Sequence, residues 1–551
     1  MAEGKLQIIP LGGVGQFGLN MMLMRCDGEA IIIDAGMGFP DDEPGINILI
    51  PDFSVVEKYR EEISSIFVTH GHEDHIGAVP FLLKEVKVPV YGTRLTIARL
   101  ERKLLEHRLD AGLLHPVEVA DTVSLDVFEV EFIHVSHSLT WSTALAIKTP
   151  VGVVIHSGDF KVDDTPVLGD PFDLSPFTKY GDEGVLALLS DSTNAELPGE
   201  AHSEQAVIPV LAELFEKATG RIVITCFSTS THRIQIILNL AEEYGRQVAV
   251  LGRSMQNSIE ISDELRHINL PDGLFVTPGQ AKKLPDDKVV LLASGSQGEP
   301  RSAMTRLATD QHKGLSVGPG DLVIHSARVI PGRERAISRL FSHCYRRGAR
   351  VVDKSIALVH VSGHARQDEL KVLLEAVRPK FLVPVHGEHR HLHRHKEWAE
   401  TLGIVEAERI VLFENGDILE LTRSSASITG KEIVGRTFID QTLGEVDSIV
   451  VRDRRHLSYD GIIISIVAIN PTSGQVESEP EIVTRGFVDG TEANSIISSL
   501  KELVETTVSS ASHEQRIDSA VMQEEIRLAL KRFIKKKTGR QPMIIPVILD
   551  V

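Results

Sequence analysis

The run His70-Gly-His72-Glu-Asp74-His75 directly follows the β-rich stretch SSIFVT, setting four potential metal ligands within six residues. At the exit of a strand, a turn can aim imidazoles and a carboxylate at one point, whereas a helix would scatter them around its axis. A chain with this run needs a stiff sheet whose strand ends bring further ligands to the same place. Nitrogen donors mixed with a carboxylate oxygen suit zinc or manganese better than calcium, which takes oxygen alone. A solvated polar loop is the bland alternative, and it has no need of three histidines and an aspartate in this order. Cysteine does not compete for the metal: Cys26, Cys226 and Cys344 lie far apart with no C-x-x-C spacing. Neither a disulfide framework nor a thiolate site is indicated.

At about 150 residues per domain, 551 residues suggest three or four folded units. KLQIIPLGG, AIIIDAG, SSIFVTH, VPVYG, VFEVEFIHV, ALAIKT, GVVIHSGD and GVLALLSDS read as strands, with helical spacing in IGAVPFLLKEV and TIARLERKLLEHRL between them. The pattern is that of an α/β fold with packed sheets flanked by helices. From residue 201 strands and helices alternate strictly (RIVITCFSTS, HRIQIILNLAEEYG, QVAVLG, KVVLLASGSQGEP, DLVIHSARVIPG), as in an open parallel sheet. IALVHVSGHA, QDELKVLLEAV and KFLVPVHGE then resume the earlier style. The order predicts a domain in two parts, 1–200 and 355–430, interrupted by an inserted domain at 201–354. After DILELTRSSASITGKEI, rich in Ser and Thr, a linker at 431–445 and a C-terminal domain at 446–551 follow. The N-terminus lacks a signal-peptide h-region and no apolar run reaches the roughly 18 residues of a membrane helix, so a cytoplasmic protein without membrane contact is expected.

Fifty-eight basic and 77 acidic side chains leave a net charge of −19, which argues against a generally basic nucleic-acid binder but allows a local basic groove. KRFIKKKTGR is the densest basic run, and a solvated helix end accounts for it equally well. Additional ligand candidates stand at strand ends: His137, Asp159 and His386. His134 and His156 fall inside strands, where a hydrogen-bonded core histidine is the simpler reading. His70, His72, Asp74, His75, His137, Asp159 and His386 make seven, the number two ions need when positions stay open for water and substrate.

The His70-x-His72-x-Asp74-His75 run with His137 and Asp159 resembles the metallo-β-lactamase superfamily. Asp191 in LLSDSTN, His364 in VSGHA and His386 in PVHGE match the added motifs of its nucleic-acid-processing β-CASP branch. The likeness is nearest to the bacterial ribonuclease J proteins and runs almost end to end, through IPLGGVG, FPDDEPGINILIPD, THRIQ, GSQGEP, VRDRRHLSYDGI and RQPMIIPVILDV. The resemblance implies an αββα sandwich with an inserted α/β β-CASP domain and a small α+β C-terminal domain. It implies two zinc ions, with manganese as a substitute: His70, His72 and His137 on one, Asp74, His75 and His386 on the other, and Asp159 bridging. Asp34 in IDAG would orient the ligands, and Asp74, Asp191 and His364 would carry the chemistry. Ser228, Thr229 and Ser230, with His360, Val361, Ser362, Gly363 and His364, would hold RNA. Helix capping is the plainer role for the first three and a simple turn for His364. Arg233, Arg301 and Arg328 are candidate phosphate contacts or surface ion pairs, whereas most of His389, His391, His393 and His395 read as solvated and none as a ligand.

The implied function is hydrolysis of single-stranded RNA, both inward from a 5′-monophosphate end and internally, in mRNA decay and rRNA maturation. The implied partners are a second copy or a homotetramer and other RNA-decay proteins. Two alternatives stand beside it: a weakly catalytic scaffold subunit of an RNA-degrading complex, and a hydrolase of the same fold acting on another substrate. Gln16, Asn47 and Arg333 depart from the family pattern. Asn47 weakens any claim to a structural calcium, and none of the three is a metal ligand.

Overall fold

The structure, a computed structural model, describes the chain apart from residues 1–3, 41–42, 441–443 and 489–490 and the side chains of 491, 492 and 550. It divides into two compact units, one of Met1–Gly38 with Ile50–Arg436, the other of Phe39–Leu49 with Thr437–Val551.

In the larger unit an eight-stranded sheet faces a six-stranded one. Ile8, Met24, Ile31 and Phe67 of the first pack against Phe132, Leu145, Val154, Leu189 and Val383 of the second in a single core. Strand Glu129–Val135 shows why the second sheet needs cover on both sides. Its Val130 and Phe132 enter this core, while Ile133 and Val135 join Phe177, Tyr180, Leu370 and Leu374 from the helices Ser175–Glu183 and Gln367–Val377 outside. Strands apolar on both faces must be buried on both faces.

Strand pairing gathers distant residues at one edge. Gly152–His156, Val185–Asp191 and Phe381–Val385 run parallel, with Asp191 opposite Val385. Asp159, Asp191 and His386 therefore leave the sheet side by side although up to 227 positions separate them in sequence. From the other sheet, Glu29–Ile33 and Ile63–Phe67 run parallel and end at Asp34 and His70.

Between Val185–Asp191 and Phe381–Val385 the chain builds a five-stranded parallel sheet. Its order is Gln247–Leu251, Val289–Ala293, Ile222–Thr225, Leu322–His325, Arg350–Val352, with apolar clusters on both faces. The chain starts in the central strand, goes first to the edge at Gln247–Leu251, returns to Val289–Ala293 between the two, and then winds outward on the other side. The crevice at the strands' carboxyl ends, where such sheets hold ligands, is thus formed by CFSTS, GSQGEP and SARVI.

The smaller unit has a three-stranded sheet of Glu481–Arg485, Ile462–Ile469 and Met543–Asp550 under the helices Thr491–Ser510 and Ser519–Thr538. Two features differ from the sequence reading. The stretch 431–445, read as linker, contains strand Arg436–Asp440 paired antiparallel with Gly444–Val446, while 441–443 lie outside the described residues. Residues 39–49 group with this unit because Glu43 takes the Arg455 guanidinium (2.7 Å) and Asn47 N–H donates to the Ile439 carbonyl (3.0 Å). No helix among the described residues is long and apolar enough to cross a membrane.

Candidate metal centre

The ligand run leaves its strand through Thr69, whose N–H (2.8 Å) and hydroxyl (2.9 Å) both donate to the Asp34 carboxylate. Asp34 also accepts from His75 Nδ1 (2.8 Å), so it orients the ligand loop, as its place in IDAG suggested. Its backbone is left-handed (φ 58°), a strain that persists only where surroundings enforce it. Gly36 is required sterically: a Cβ there would fall 1.5 Å from the Asp74 carbonyl oxygen. Asn20, which the sequence reading passed over, donates Nδ2 to that carbonyl (3.0 Å), accepts the Gly36 N–H at its own carbonyl (2.8 Å) and stands 3.2 Å from His75 Nε2.

All seven expected ligands converge. His70, His72, His137 and Asp159 form one group of donor atoms, and Asp74, His75, Asp159 and His386 a second, each within 4.8 Å of one another and sharing Asp159. A third group, Asp159, Asp191, His364 and His386, adjoins them.

Hydrogen bonds fix which nitrogen each imidazole presents. His137 Nδ1 donates to the Gly363 carbonyl (2.7 Å), which can only accept, so Nε2 keeps its lone pair for the pocket. The Thr69 hydroxyl gives its proton to Asp34 and therefore accepts from His70 Nδ1 (3.1 Å). By the same reasoning the Thr193 hydroxyl donates to Asp191 (2.8 Å) and accepts from His386 Nδ1 (2.7 Å). Such outer contacts hold ligand rings in the tautomer a metal needs.

The free nitrogens meet as ligand shells do. His72 Nδ1 lies 3.0 Å from His70 Nε2 and 3.2 Å from His137 Nε2. Nitrogens on a tetrahedral zinc, each about 2.0–2.1 Å away, stand roughly 3.3 Å apart. His386 Nε2 is buried with no hydrogen-bond partner, 3.5 Å from Asp159 and 3.6 Å from Asp74. A buried orphan nitrogen between two carboxylates is costly unless a cation completes it.

The electrostatics agree. Burial pushes the His72 imidazole down to about 4 against the pull of Asp74 and Asp159, and holds His70 and His137 well below their ordinary value. These present neutral lone pairs. Burial also opposes charge on His75 and His386, yet Asp159 and the neighbouring carboxylates outweigh it and hold both well above the ordinary range. One side thus offers neutral donors and the other surplus negative charge. Both suit a cation, and the residues fit a metal-binding site.

Beside the ligands, His364 Nδ1 meets Asp191 Oδ2 at 2.7 Å, and Asp191 Oδ1 lies 3.3 Å from His386 Nδ1. Burial favours a neutral Asp191, but His364 and His386 hold its carboxyl far below the usual carboxylate range. His364 keeps 18 % of its side chain accessible and Asp74 36 %, against 0–9 % for His70, His75, His137, Asp159 and His386. These two and the partly exposed His72 are where a substrate can reach the cluster. Two residues unmarked in the sequence complete the rim. Asn194 donates to Ser362 Oγ (2.9 Å) and the His364 carbonyl (3.0 Å), and accepts from Arg328 (3.0 Å). Thr193 joins Asp191 to His386.

The expected RNA contacts divide. Ser228, Thr229 and Ser230 lie at the carboxyl end of Ile222–Thr225, and Ser230, in the N-cap position of helix Thr231–Glu243, makes no capping hydrogen bond. Ser362, Gly363 and His364 border the metal cluster. Val361 packs into the inserted domain's core, and burial beside Arg233 pushes His360 down to about 3. Arg301 is exposed beside GSQGEP and Arg328 half-buried at Asn194.

Several expectations require correction. Arg233 is no phosphate contact: its guanidinium, 1 % exposed, bonds Glu204 (2.6 Å), the Val359 carbonyl (2.6 Å) and Ser326. Of the four histidines of which most were expected in solvent, His389 and His393 are exposed but His391 and His395 are buried, the latter against Ser192 (3.0 Å). His134 is half-exposed and bonds the Asp170 carbonyl (3.1 Å) rather than lying in the core. His156 lies behind the site, accepting from Gly158 N–H (3.1 Å), and burial pushes it to about 4.

Comparison with known proteins follows these boundaries. Residues 14–197 match the metallo-beta-lactamase superfamily, 219–343 the Ribonuclease J beta-CASP domain, 348–409 the Zn-dependent metallo-hydrolase RNA specificity domain, and 449–551 the Ribonuclease J C-terminal domain. The chain is 41% identical to Ribonuclease J of Synechocystis sp. over 98% of its own length and 86% of that protein's. It is 38% identical to Ribonuclease J2 of Bacillus subtilis (99% of each) and 37% identical to Ribonuclease J of Thermus thermophilus (100% and 96%). A solved structure of a protein of unknown function from Enterococcus faecalis shares the fold, with TM-score 0.51 and 15% identity over 77% of this chain and all of that one. With the sandwich, the inserted sheet and the C-terminal unit all matched in one continuous chain, this protein belongs to the ribonuclease J family.

Proposed function

We propose that the chain is a metal-dependent ribonuclease that hydrolyses phosphodiester bonds of single-stranded RNA. Two zinc ions would occupy it, with manganese able to substitute: one held by His70, His72 and His137, the other by Asp74, His75 and His386, with Asp159 between. When bound, they supply a coordinated water of lowered pKa and neutralise charge on the scissile phosphate.

The remaining work falls to side chains. Asp191, ionised and buried, fixes the His364 ring through Nδ1 and leaves Nε2 to meet the scissile phosphate and protonate the departing oxygen. Asn194 and Arg328 hold the Ser362–His364 loop at the distance that role requires. Ser362 and the adjacent backbone N–H groups offer donors for a terminal 5′-phosphate, which supports 5′-to-3′ exonuclease action, while an RNA lying across the carboxyl edge of the inserted sheet would be cut internally. Ser228, Thr229 and Ser230 stand on that edge. The setting this implies is the cytoplasm, with the chain acting in mRNA decay and rRNA maturation as a homodimer or homotetramer and alongside other RNA-decay proteins.

The observation that carries the reading is the Asp191–His364 pair joined to the ligand cluster through His386. A cluster that only stored metal would have no use for an oriented, accessible imidazole at its edge. The test uses a 5′-labelled, monophosphorylated RNA incubated with zinc or manganese and then with chelator. Chelator-sensitive release of labelled mononucleotide supports exonuclease action and discrete longer fragments endonuclease action; no cleavage with either metal overturns the proposal.

A further inference from the structure

On the inserted domain, helix Glu334–Arg346 has the sequence ERAISRLFSHCYR, and after Glu334 it contains no acidic residue. Ile337, Leu340 and Cys344 pack inward. Arg335, Arg339, His343 and Arg346 recur every three or four positions on the opposite side, about 6 Å apart along the axis for each four residues. With Ser338 and Ser342 between them, and Glu334 at one end, they line an open groove. Arg335, Arg339 and Arg346 are exposed, and none forms an ion pair with any described carboxylate. Soluble proteins ordinarily intersperse both signs on an exposed helix, and on a chain of net charge −19 an unneutralised basic stripe is unexpected unless something anionic lies on it.

The start of the helix packs against loops that reach the site. Arg328 contacts Asn194 beside Asp191 (3.0 Å), and Gln297 then braces the same loop, donating to the Arg328 carbonyl (2.8 Å) and accepting from Ile330 N–H (2.9 Å). Gly298 packs against Ala336 in the helix's first turn so closely that a Cβ would meet its carbonyl carbon at 2.9 Å. The loops carrying Arg328 and Gln297 thus connect the neighbourhood of Asp191 to the first turn of this helix, next to Arg335.

We propose that this helix face is a second RNA-binding surface, a track for the phosphate backbone of a long single strand beyond the cleavage site. The inference rests on the ribonuclease reading for its ligand, but binding alone tests it. Evenly spaced guanidiniums on a helix contact successive phosphates without reading bases, so the track would add affinity for length and none for sequence.

The test is the triple variant Arg335→Gln, Arg339→Gln and Arg346→Gln, whose replacements are exposed and tolerated by a helix. Binding of a 6-nucleotide and a 30-nucleotide fluorescent RNA is measured with chelator present, over a range of salt, with unchanged thermal unfolding as the folding control. Three lost contacts, at about 0.7 each on a single strand, lower the slope of log affinity against log salt by about 2 for the longer RNA. We expect its affinity at low salt to fall at least tenfold, with binding and cleavage of the 6-nucleotide RNA unchanged. Equal affinity and slope for both proteins on the 30-nucleotide RNA overturn the proposal and leave the stripe to an acidic protein surface. Failure of the unaltered protein to cleave RNA at all strikes the ribonuclease reading instead.

Discussion

The metal pocket and the carboxyl edge of the inserted sheet are both built at strand ends, yet they are held in opposite ways. In the pocket four of the seven candidate ligands are fixed from behind while facing the centre: His75 by Asp34, His70 by Thr69, His137 by the Gly363 carbonyl, His386 by Thr193. At the edge of the inserted sheet Gln297 is braced against the Arg328 loop, but Ser228 to Ser230 make few such contacts, and the basic groups beyond them stand in water. Chemistry at a fixed point needs atoms placed to tenths of an ångström, whereas a long polymer can be held by many weak contacts, each tolerant of position.

Three substitutions probe this contrast, from the largest effect to the smallest. Arg233 lies in the inserted domain but is built like the pocket. Arg233→Ala strands the buried Glu204 carboxylate and should cost about 3–5 kcal/mol in urea unfolding without altering the salt slope of RNA binding. A lower salt slope with stability intact would return Arg233 to the RNA-binding edge. Asp34→Asn keeps shape but loses the charge behind His75. Metal affinity, read by competition with a chromophoric chelator, should fall about 10- to 100-fold, and an unchanged affinity would show that the rear contacts do not matter.

The smallest effect concerns pH. Burial holds His395 down to about 4, against about 6.5 in an unfolded chain, so between those values the unfolded state binds more protons. Stability is therefore complete above pH 6.5 and declines as pH falls toward 4, by at most about 1.4 kcal/mol per unit for this group. His395→Gln should flatten the decline in denaturation midpoints between pH 6.5 and 4. An unaltered slope would mean that His395 is protonated freely in the folded state.

The sequence made the two regions legible to different degrees. His70 to His75 are readable because their spacing is local to one strand exit. Asp191 and His386 come together only through the pairing of Val185–Asp191 with a strand nearly 200 residues later, which no periodicity displays; His386 stood out as a strand-end histidine, whereas family likeness, not spacing, pointed to Asp191 and His364. Thr193, Asn194 and Asn20 are common polar residues with no signature, and only their contacts reveal them. The misread residues had a signal that was there to use. Helix Thr231–Glu243 buries every residue from Thr231 to Leu238, and RIQIILNLA is apolar nearly all round, so a charge within it had to be paired inside. His391, His395 and Ala399 recur at four-residue spacing with Leu392 and form the inward face of helix His389–Leu402.

The central claim is that two kinds of histidine share one pocket, those that hold metal and one that moves a proton. It is tested by measuring bound metal and turnover together in His72→Ala and His364→Ala. The account predicts that His72→Ala loses both metal and activity, whereas His364→Ala keeps full metal content and loses about 10²–10⁴-fold in kcat. Metal loss in the His364 variant, or turnover equal to that of the unaltered protein, would contradict it.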